Sequence, residues 1–344
     1  MHAVDHEPQI VILGCGRWGR TCHSQLIEKT PGLRLHGIAG RDPAKVAAAS
    51  TEVGRKGYVG FASVLADPEV DGVVLATPNS THADLAVQAL GAGKHVLCEK
   101  VMCLNTAEFD RMALAAKESD RLLSVFQNRR TDGDFRTVCA LREAGELGDV
   151  RWVEMAWQGF GIWGGWRGEA AMGGGKLYDL GAHMVDQILQ LFPEPVTSVY
   201  CRMHHDMPER DVESEALVVI SFASGRTAVV DASSLAAISK PRFYVRGTKG
   251  TFQKFGLDPQ EDAMKAGDIE TAVEPESLFG TLKTADAERL VPTRAGCWLD
   301  FYANWREALR GSAAPLVPLP EARRAIQVLE AAHHSAREGV AIHL

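Results

Sequence analysis

The chain has 344 residues, of which 46% are hydrophobic and 24% are charged, and these are ordinary proportions for a globular protein of about two domains. Its formal net charge is −7, and because acidic and basic residues are interspersed, we expect no nucleic acid and no membrane surface as a partner. The chain contains no apolar run near the roughly 20 residues that span a bilayer, and Met1–Glu7 lacks the parts of a signal peptide, so we expect a cytoplasmic protein.

The first third of the chain alternates short apolar runs with helical patterns. A helix is predicted over Ala44–Ser50, because Asp42 is a favoured N-cap residue and Pro43 fits the first helical position. Strands are predicted at Gln9–Leu13, Leu33–Ala39, Gly72–Ala76, His95–Cys98 and Leu122–Phe126, with further helices at Arg20–Glu28, Thr81–Leu90 and Thr106–Glu118. Repetition of strand and helix predicts a doubly wound parallel sheet, an N-terminal Rossmann domain over residues 1–127.

After about residue 128, apolar and polar residues begin to alternate within the predicted strands. The strands are Val150–Trp157, Val196–Met203, Ala216–Phe222, Thr227–Ser233 and Arg242–Val245. Helices are predicted at Thr137–Ala144, Leu177–Phe192, Leu299–Leu309 and Glu321–Glu338, and residues 257–291 are predicted to be a long loop with room for one short helix. Such alternation is typical of an antiparallel sheet with one wetter face. Residues 128–344 are therefore predicted to form a C-terminal α+β domain with a large, mostly antiparallel sheet.

A glycine-rich loop follows the first predicted strand. Gly14-Cys15-Gly16-Arg17-Trp18-Gly19 matches G-x-G-x-x-G and leads into a helix. In this motif Gly14 permits a tight turn, Gly16 lets the backbone approach a pyrophosphate, and Gly19 allows close packing of helix on strand. A glycine-rich turn in an unrelated α/β fold is the alternative, but strand, loop, helix and second strand follow in the expected order. The loop therefore predicts a dinucleotide cofactor, held at the helix N-terminus.

The end of the second predicted strand bears on the choice between NAD and NADP. An acidic residue there would bond the ribose of NAD, but Gly40 and Arg41 instead leave room for a 2′-phosphate and supply a cation. Asp42 would be the ribose acid if the strand ended two residues later, although it is better placed as the cap of the next helix. The sequence favours NADP and leaves NAD open.

Two clusters carry candidate chemistry. Lys100 directly follows the strand His95–Cys98, and ligands bind outside the carboxyl ends of parallel strands. Asp179, His183 and Asp186 are spaced i, i+4, i+7 and share one helix face. A histidine can take a hydroxyl proton while a cationic lysine polarises a carbonyl, which is the acid–base chemistry of hydride transfer.

With these motifs, the chain resembles the glucose–fructose oxidoreductase, inositol dehydrogenase and MocA family over nearly its whole length. The resemblance is carried by the glycine loop, Thr77-Pro78-Asn79, His82, Glu99-Lys100, and Gly173-Gly174-Gly175 leading to Asp179 and His183. Later segments are similar to the NADP-linked branch that includes scyllo-inositol dehydrogenases, namely Phe126-Gln127-Asn128-Arg129-Arg130, Trp166-Arg167 and the stretch from Gly247 to Asp262.

The resemblance implies NADP-dependent oxidation of a polyol or sugar, or reduction of the matching ketone. It implies that Lys100 hydrogen-bonds the reacting oxygen, that His183 is the general acid/base, and that Asp179 holds a neighbouring substrate hydroxyl. The expected cofactor-binding residues are Gly14, Cys15, Gly16, Arg17, Trp18, Gly19, Gly40, Arg41, Thr77, Pro78, Asn79, His82, Glu99 and Lys100. The expected substrate-binding residues are Asn128, Arg129, Trp166, Arg167, Asp179 and His183. A homodimer or homotetramer, formed through the second domain, is expected on the resemblance alone.

Two positions depart from the family pattern. Val101 stands where the family usually has a proline, often in a cis peptide, and Thr131 stands where the branch tends to have a tryptophan. Both lie near the expected substrate pocket, so the substrate can differ from that of the relatives. Two alternative functions stay open: ketoreduction of a nucleotide-linked or modified sugar, and a non-catalytic protein that senses NADP on the same fold.

Metal binding is a further alternative for the helix face that carries Asp179, His183 and Asp186, because all three are ligand types. No further cysteine or histidine with ligand spacing supports such a site, and hydride transfer needs no metal. The seven cysteines contain no CxxC pair, which predicts reduced thiols rather than disulfides or a zinc ribbon. We therefore predict no metal.

Overall fold

The computed structural model describes residues 3–161 and 164–344. The chain folds into two compact units. The first contains the residues up to Asn128 together with Gln260–Ala272 and Cys297–Arg323, and the second contains Arg129–Pro259, Val273–Gly296 and Arg324–Leu344. The sequence predicts that Gln260–Ala272 and Cys297–Arg323 belong to the second domain, whereas the structure packs these segments with the first unit.

The elements follow one another along the chain as strands, helices and short turns. The strands are β1 Gln9–Leu13, β2 Arg34–Gly40, β3 Lys56–Val59, β4 Gly72–Leu75, β5 His95–Cys98, β6 Leu123–Val125, β7 Val150–Gln158, β8 Val196–His204, β9 Glu215–Phe222, β10 Thr227–Ser233, β11 Phe243–Gly247, β12 Gly250–Lys254, β13 Gly280–Thr284, β14 Glu288–Val291 and β15 Ile342–His343. The α-helices are α1 Ser24–Glu28, α2 Pro43–Val53, α3 Phe61–Leu65, α4 His82–Gly91, α5 Thr106–Ser119, α6 Gly133–Glu143, α7 Ala182–Leu191, α8 Gln260–Lys265, α9 Leu299–Leu309 and α10 Leu319–Glu338. Two π-helical turns lie at Gly19–His23 and Leu177–Gly181, and 3₁₀ turns lie at Asn79–Thr81, Asn128–Thr131, Gly165–Gly168, Ala170–Met172, Ile269–Thr271 and Glu276–Leu278.

The first unit is built on a parallel sheet with the strand order β3-β2-β1-β4-β5-β6. This is the order of a dinucleotide-binding Rossmann fold, so the predicted fold class is confirmed. The central strands read as continuous apolar runs because both faces of the sheet are covered, and β4 and β5 are buried at every position. Strand β3 is not predicted from the sequence, because it is a short edge strand in which Tyr58 alone is buried.

Helix α2 begins as its sequence predicts. The Asp42 carboxylate accepts hydrogen bonds from the backbone N–H groups of Ala44, at 2.9 Å, and Lys45, at 3.2 Å. Pro43 occupies the first turn. The interpretation of Asp42 as a helix cap is therefore confirmed, and its carboxylate is committed to two of the orphan donors of the helix.

The second unit is built on a mixed sheet with the strand order β14-β13-β12-β11-β7-β10-β9-β8-β15. In the parts of the chain that the structure describes, β7 and β10 pair in parallel and the other neighbours pair antiparallel. The prediction of a large, mostly antiparallel sheet is confirmed, and β8 alternates buried and exposed positions as expected.

The prediction of a long loop with room for one short helix over residues 257–291 is right about the helix and wrong about the strands. This segment holds α8, β13 and β14. Strand β14 at the sheet edge has one buried residue, Val291, so it lacks the alternating pattern by which a half-buried strand is recognised. Within residues 3–161 and 164–344, none of the helices is both long and apolar enough to cross a membrane.

Candidate functional site

The sheet of the first unit brings the predicted cofactor residues to one edge. Its strands are parallel, so their carboxyl ends face the same way. Strands β1, β2, β4 and β5 end at this edge and are followed by the glycine loop, Arg41, Thr77 and Glu99-Lys100, respectively. The four strands are neighbours in the sheet order, so the structure groups these residues as the sequence predicts.

Two glycines of the loop are packed too closely for a side chain, and a third faces open space. Gly14 has a φ of 138°, and a Cβ there would lie 2.2 Å from the carbonyl oxygen of Ala76. A Cβ at Gly19 would lie 2.3 Å from the carbonyl oxygen of Gly14. At Gly16, by contrast, a Cβ would meet no atom within 4 Å, and the residue is exposed. Close packing thus excludes any side chain at positions 14 and 19. Gly16 instead leaves open space beside the backbone, where a phosphate group could approach.

An exposed arginine and a helix-capping aspartate follow β2. Arg41 is exposed, and the neighbouring Asp42 carboxylate caps α2. A Cβ at Gly40 would lie 2.8 Å from Sγ of Cys15, so the small residue keeps the glycine loop and β2 close together.

The Glu99 carboxylate forms hydrogen bonds with three groups of the first unit. Oε1 accepts from Nε1 of Trp18 at 2.5 Å and lies 2.8 Å from Nε2 of His23, and Oε2 accepts from the backbone N–H of Lys100 at 3.0 Å. Burial by itself would raise the pKa of Glu99, but the hydrogen bond from His23 and the positive charges of His23 and Lys100 bring the pKa below its ordinary value. Glu99 is therefore an ionised, buried anchor between the glycine loop and the half-buried Lys100.

His82 links the ends of two neighbouring strands. Its Nδ1 lies 2.8 Å from the carbonyl oxygen of Val101, and its Nε2 lies 2.9 Å from the carbonyl oxygen of Thr77. Burial lowers the pKa of His82. The peptide bond between Lys100 and Val101 is cis. His82 thus connects the backbone that follows β4 to the backbone that follows Lys100.

In the second unit, three predicted substrate residues lie together. Nε of Arg167 donates to Oδ1 of Asp179 at 3.3 Å, and the Arg167 guanidinium lies 4.7 Å from the ring centroid of Trp166. The glycines before Asp179 allow this approach, because a Cβ at Gly174 would lie 2.4 Å from the carbonyl oxygen of Arg167.

The imidazole of His183, on α7, packs on a tryptophan of β7. The rings of His183 and Trp157 stack with centroids 5.9 Å apart and planes inclined by 26°. The guanidinium of Arg129 lies 4.6 Å from the Trp157 centroid, and that of Arg242 lies 5.2 Å from it. His183 and both arginines are buried. The Trp157 ring, which is held by Arg129 and Arg242, therefore limits the rotation of the His183 ring.

The carboxylate of Asp186 is engaged by a cation of the same unit. Nε and Nη2 of Arg130 donate to its two oxygens at 2.8 and 2.7 Å. Among residues 3–161 and 164–344, the one group of three side chains placed to share a metal ion is His36, Asp67 and Glu69. That group contains none of Asp179, His183 and Asp186, the three residues of the helix face considered above as metal ligands.

A buried carboxylate supports the start of the helix that carries Asp179 and His183. Oε1 of Glu213 accepts from the backbone N–H of Leu177 at 2.8 Å. Burial raises the pKa of Glu213 to about 7, although backbone N–H donors and the charge of Lys176 oppose the rise. Burial also lowers the pKa of Lys176 to about 8.

Sequence reasoning missed three of these residues, His23, Glu213 and Arg242. His23 and Glu99 are separated by 76 positions, and Leu177 and Glu213 by 36. No local pattern marks such pairs, since the contacts depend on the order of strands in each sheet.

Comparison with known proteins agrees with this geometry. Residues 9–127 match the family model described as "Oxidoreductase family, NAD-binding Rossmann fold", and residues 135–253 match the "GFO/IDH/MocA C-terminal domain". The oxidoreductase YdgJ of Escherichia coli (strain K12) is 32% identical over 340 residues, which cover 96% of each chain. The scyllo-inositol 2-dehydrogenase (NADP(+)) IolW of Bacillus subtilis (strain 168) is 28% identical, over 96% of this chain and 94% of that protein.

A solved structure shows the same fold over almost the whole chain. The NAD-binding protein from Listeria innocua superposes with a TM-score of 0.86 at 30% identity, and the match covers 98% of this chain and 97% of that one. Family models match both units, and relatives over 30% identical span the sequence. The chain therefore belongs to the GFO/IDH/MocA family of oxidoreductases.

Proposed function

We propose that this protein is an NADP(H)-dependent oxidoreductase that transfers a hydride between the nicotinamide and the hydroxyl or ketone carbon of a sugar or cyclitol. The proposal is carried by the position of Lys100, at the carboxyl end of β5 and on the sheet edge that holds the glycine loop. The cofactor-binding residues proposed are those named from the sequence. The relative from Bacillus subtilis, named as an NADP(+)-linked scyllo-inositol 2-dehydrogenase, supports this class of substrate.

The preference for NADP rests on the residues after β2. Arg41 is exposed, and Oδ1 of the acid beside it, Asp42, caps the first turn of α2. A guanidinium suits the 2′-phosphate of NADP, because it pairs with phosphate oxygens in a bidentate way. Both backbone N–H groups bond Oδ1 of Asp42, which fixes this carboxylate at the start of α2 and favours Arg41 as the residue that selects the cofactor.

The residues of the chain supply binding and proton transfer. Bound NADP supplies the hydride acceptor, and NADPH supplies the donor. Lys100 donates a hydrogen bond to the reacting oxygen and stabilises the charge that develops there. His183 takes the hydroxyl proton during oxidation and returns it during reduction. Asp179 holds a neighbouring substrate hydroxyl.

The remaining substrate-binding residues proposed are Asn128, Arg129, Trp166 and Arg167. Trp166 offers an aromatic surface and Arg167 a cation, and this pair suits a polyhydroxylated ring. A homodimer or homotetramer stays a prediction from the resemblance, and light scattering of the purified protein tests it.

The test is to incubate the protein with NADP and a panel of inositols and aldoses while the absorbance of the reduced cofactor is followed. The matching ketones, together with nucleotide-linked sugar ketones, test the reverse direction with NADPH. Turnover of at least one polyol supports the proposal. Tight cofactor binding without turnover in either direction contradicts it and favours a sensor, while turnover of nucleotide-linked sugar ketones alone favours the alternative reductase.

A further inference from the structure

A buried hydrogen-bond chain in the first unit runs from helix α9 to the residue beside Lys100. The Tyr302 hydroxyl lies 2.6 Å from Nδ1 of His23, and Nε2 of His23 lies 2.8 Å from Oε1 of Glu99. The exposed fractions are 0% for Tyr302, 0% for His23 and 7% for Glu99. The chain is therefore shielded from water along its length.

The two ends of this chain have defined protonation states. Glu99 has a pKa below its ordinary value, so its carboxylate is ionised and can only accept. Burial holds the pKa of the Tyr302 phenol well above its ordinary value, so the phenol keeps its proton and can donate. His23 therefore donates through Nε2 to the Glu99 carboxylate, and the Tyr302 hydroxyl bonds Nδ1 of the same ring.

Aromatic packing fixes the imidazole in this arrangement. The ring of Phe126 lies 4.9 Å from that of His23, and it meets Phe301 and Tyr302 edge-on at 5.0 and 5.6 Å. Phe301 and Tyr302 belong to α9, a segment far along the chain that folds with the first unit. The chain of hydrogen bonds and these rings thus tie α9 to the carboxyl end of β5.

We propose that His23 and Tyr302 are positioning residues that hold the Glu99 carboxylate in place and so fix Lys100. The link to Lys100 is direct, because Oε2 of Glu99 accepts the backbone N–H of Lys100 and the carboxylate charge acts on its ammonium group. Without the His23 donor, the buried Glu99 carboxylate would be desolvated and uncompensated. It would then rotate away or take up a proton. The inference rests on the proposed function only for what Lys100 does in the reaction.

Competitive acetylation of the cofactor-free protein tests this inference without any turnover. Acetic anhydride labels neutral, accessible amines, and mass spectrometry compares Lys100 with Lys117, an exposed lysine on α5. In His23→Leu we expect Lys100 to be acetylated about threefold to tenfold faster relative to Lys117, the range for the loss of one net hydrogen bond. His23→Gln restores slow labelling, because an amide can donate to Glu99 and still hydrogen-bond Tyr302. Tyr302→Phe, which removes one hydroxyl, gives an intermediate rate.

The control variant is Trp305→Phe. Trp305 lies on α9 and packs edge-on against Tyr302 at 5.8 Å, outside the hydrogen-bond chain. It should lose stability without a change in Lys100 labelling. Unchanged labelling in folded His23→Leu and Tyr302→Phe would overturn the inference. Faster labelling in a protein that turns over no polyol would support the inference and count against the proposed function. In an active protein, His23→Leu and Tyr302→Phe lower kcat more than they raise KM for NADP.

Discussion

The indole nitrogen of Trp18 in the glycine loop lies 2.5 Å from Oε1 of Glu99, which follows β5. Both residues were expected to bind the cofactor, yet the structure directs their polar groups at each other. The bond joins the loop that would hold the phosphates to the backbone of Lys100. We therefore expect Trp18 and Glu99 to influence cofactor binding through the shape of the loop.

Trp18→Phe tests this link, because phenylalanine keeps an aromatic ring and loses the N–H donor. We expect the free energy of unfolding to fall by about 1 kcal/mol and NADP to bind more weakly. Denaturant unfolding and titration of NADP against protein fluorescence measure both. Trp298→Phe is the control, since the Trp298 ring packs 6.2 Å from that of Trp18. If Trp18→Phe bound NADP as tightly as the control Trp298→Phe, the Trp18–Glu99 bond would have no role in cofactor binding.

Arg41→Ala should remove the preference for NADP. Loss of a guanidinium that pairs with a phosphate costs roughly tenfold or more in kcat/KM for NADP, while kcat/KM for NAD should hardly change. Asp42→Ala should instead cost about 1 kcal/mol of stability as a lost helix cap and leave the cofactor ratio unchanged. Steady-state kinetics with both cofactors decide this, and NADP use that survives Arg41→Ala would rule out the assignment.

Trp157→Ala should impair catalysis by freeing the ring of His183, which stacks on Trp157. We expect kcat/KM to fall roughly tenfold, the effect of about 1.4 kcal/mol, because the stack and two cation–π contacts are lost. Trp157→Phe should show a smaller fall in kcat/KM. Trp152→Ala is the matched control, since Trp152 lies on the same strand and packs against Arg246 instead. Equal losses in Trp157→Ala and Trp152→Ala would argue against a specific role for the stack.

Glu213 should make stability depend on pH. Its pKa is about 7 in the folded chain against an ordinary value of 4.5, so the folded state binds the proton more tightly. The resulting stabilisation is complete below pH 4.5 and is lost as pH rises through 7, with an upper limit of about 3 kcal/mol from that pKa difference. Lys176, with a pKa of about 8, titrates above this window.

Glu213→Gln keeps an acceptor for Leu177 and removes this titration. Urea unfolding at pH 5 and pH 7 should therefore show that the wild type loses stability relative to Glu213→Gln as pH rises. A constant difference between the two proteins across that range would show that Glu213 titrates normally.

Local signals in the sequence located much of the fold. Strand β1 and helix α9 lie where their apolar patterns predict, and Asp42 caps α2 as its position before Pro43 indicates. The glycine loop and Lys100 were found because their chemistry is tied to strand ends. These features depend on a few neighbouring residues, so one sequence suffices to find them.

Contacts between distant segments could not be read in this way. His23 and Tyr302 are 279 positions apart, and no periodicity links them. For the same reason the packing of Cys297–Arg323 with the first unit was missed. Strands β3 and β14 each bury one residue, so their positions are set by pairing with a neighbour rather than by their own pattern.

The role of Lys100 and His183 in hydride transfer is tested most directly by the rate at which reduced cofactor forms from NADP and an active polyol. Lys100→Met and His183→Ala should each lower that rate by about a hundredfold or more, as the loss of an acid–base group does, while NADP still binds. A wild-type rate in either variant would remove that residue from the reaction.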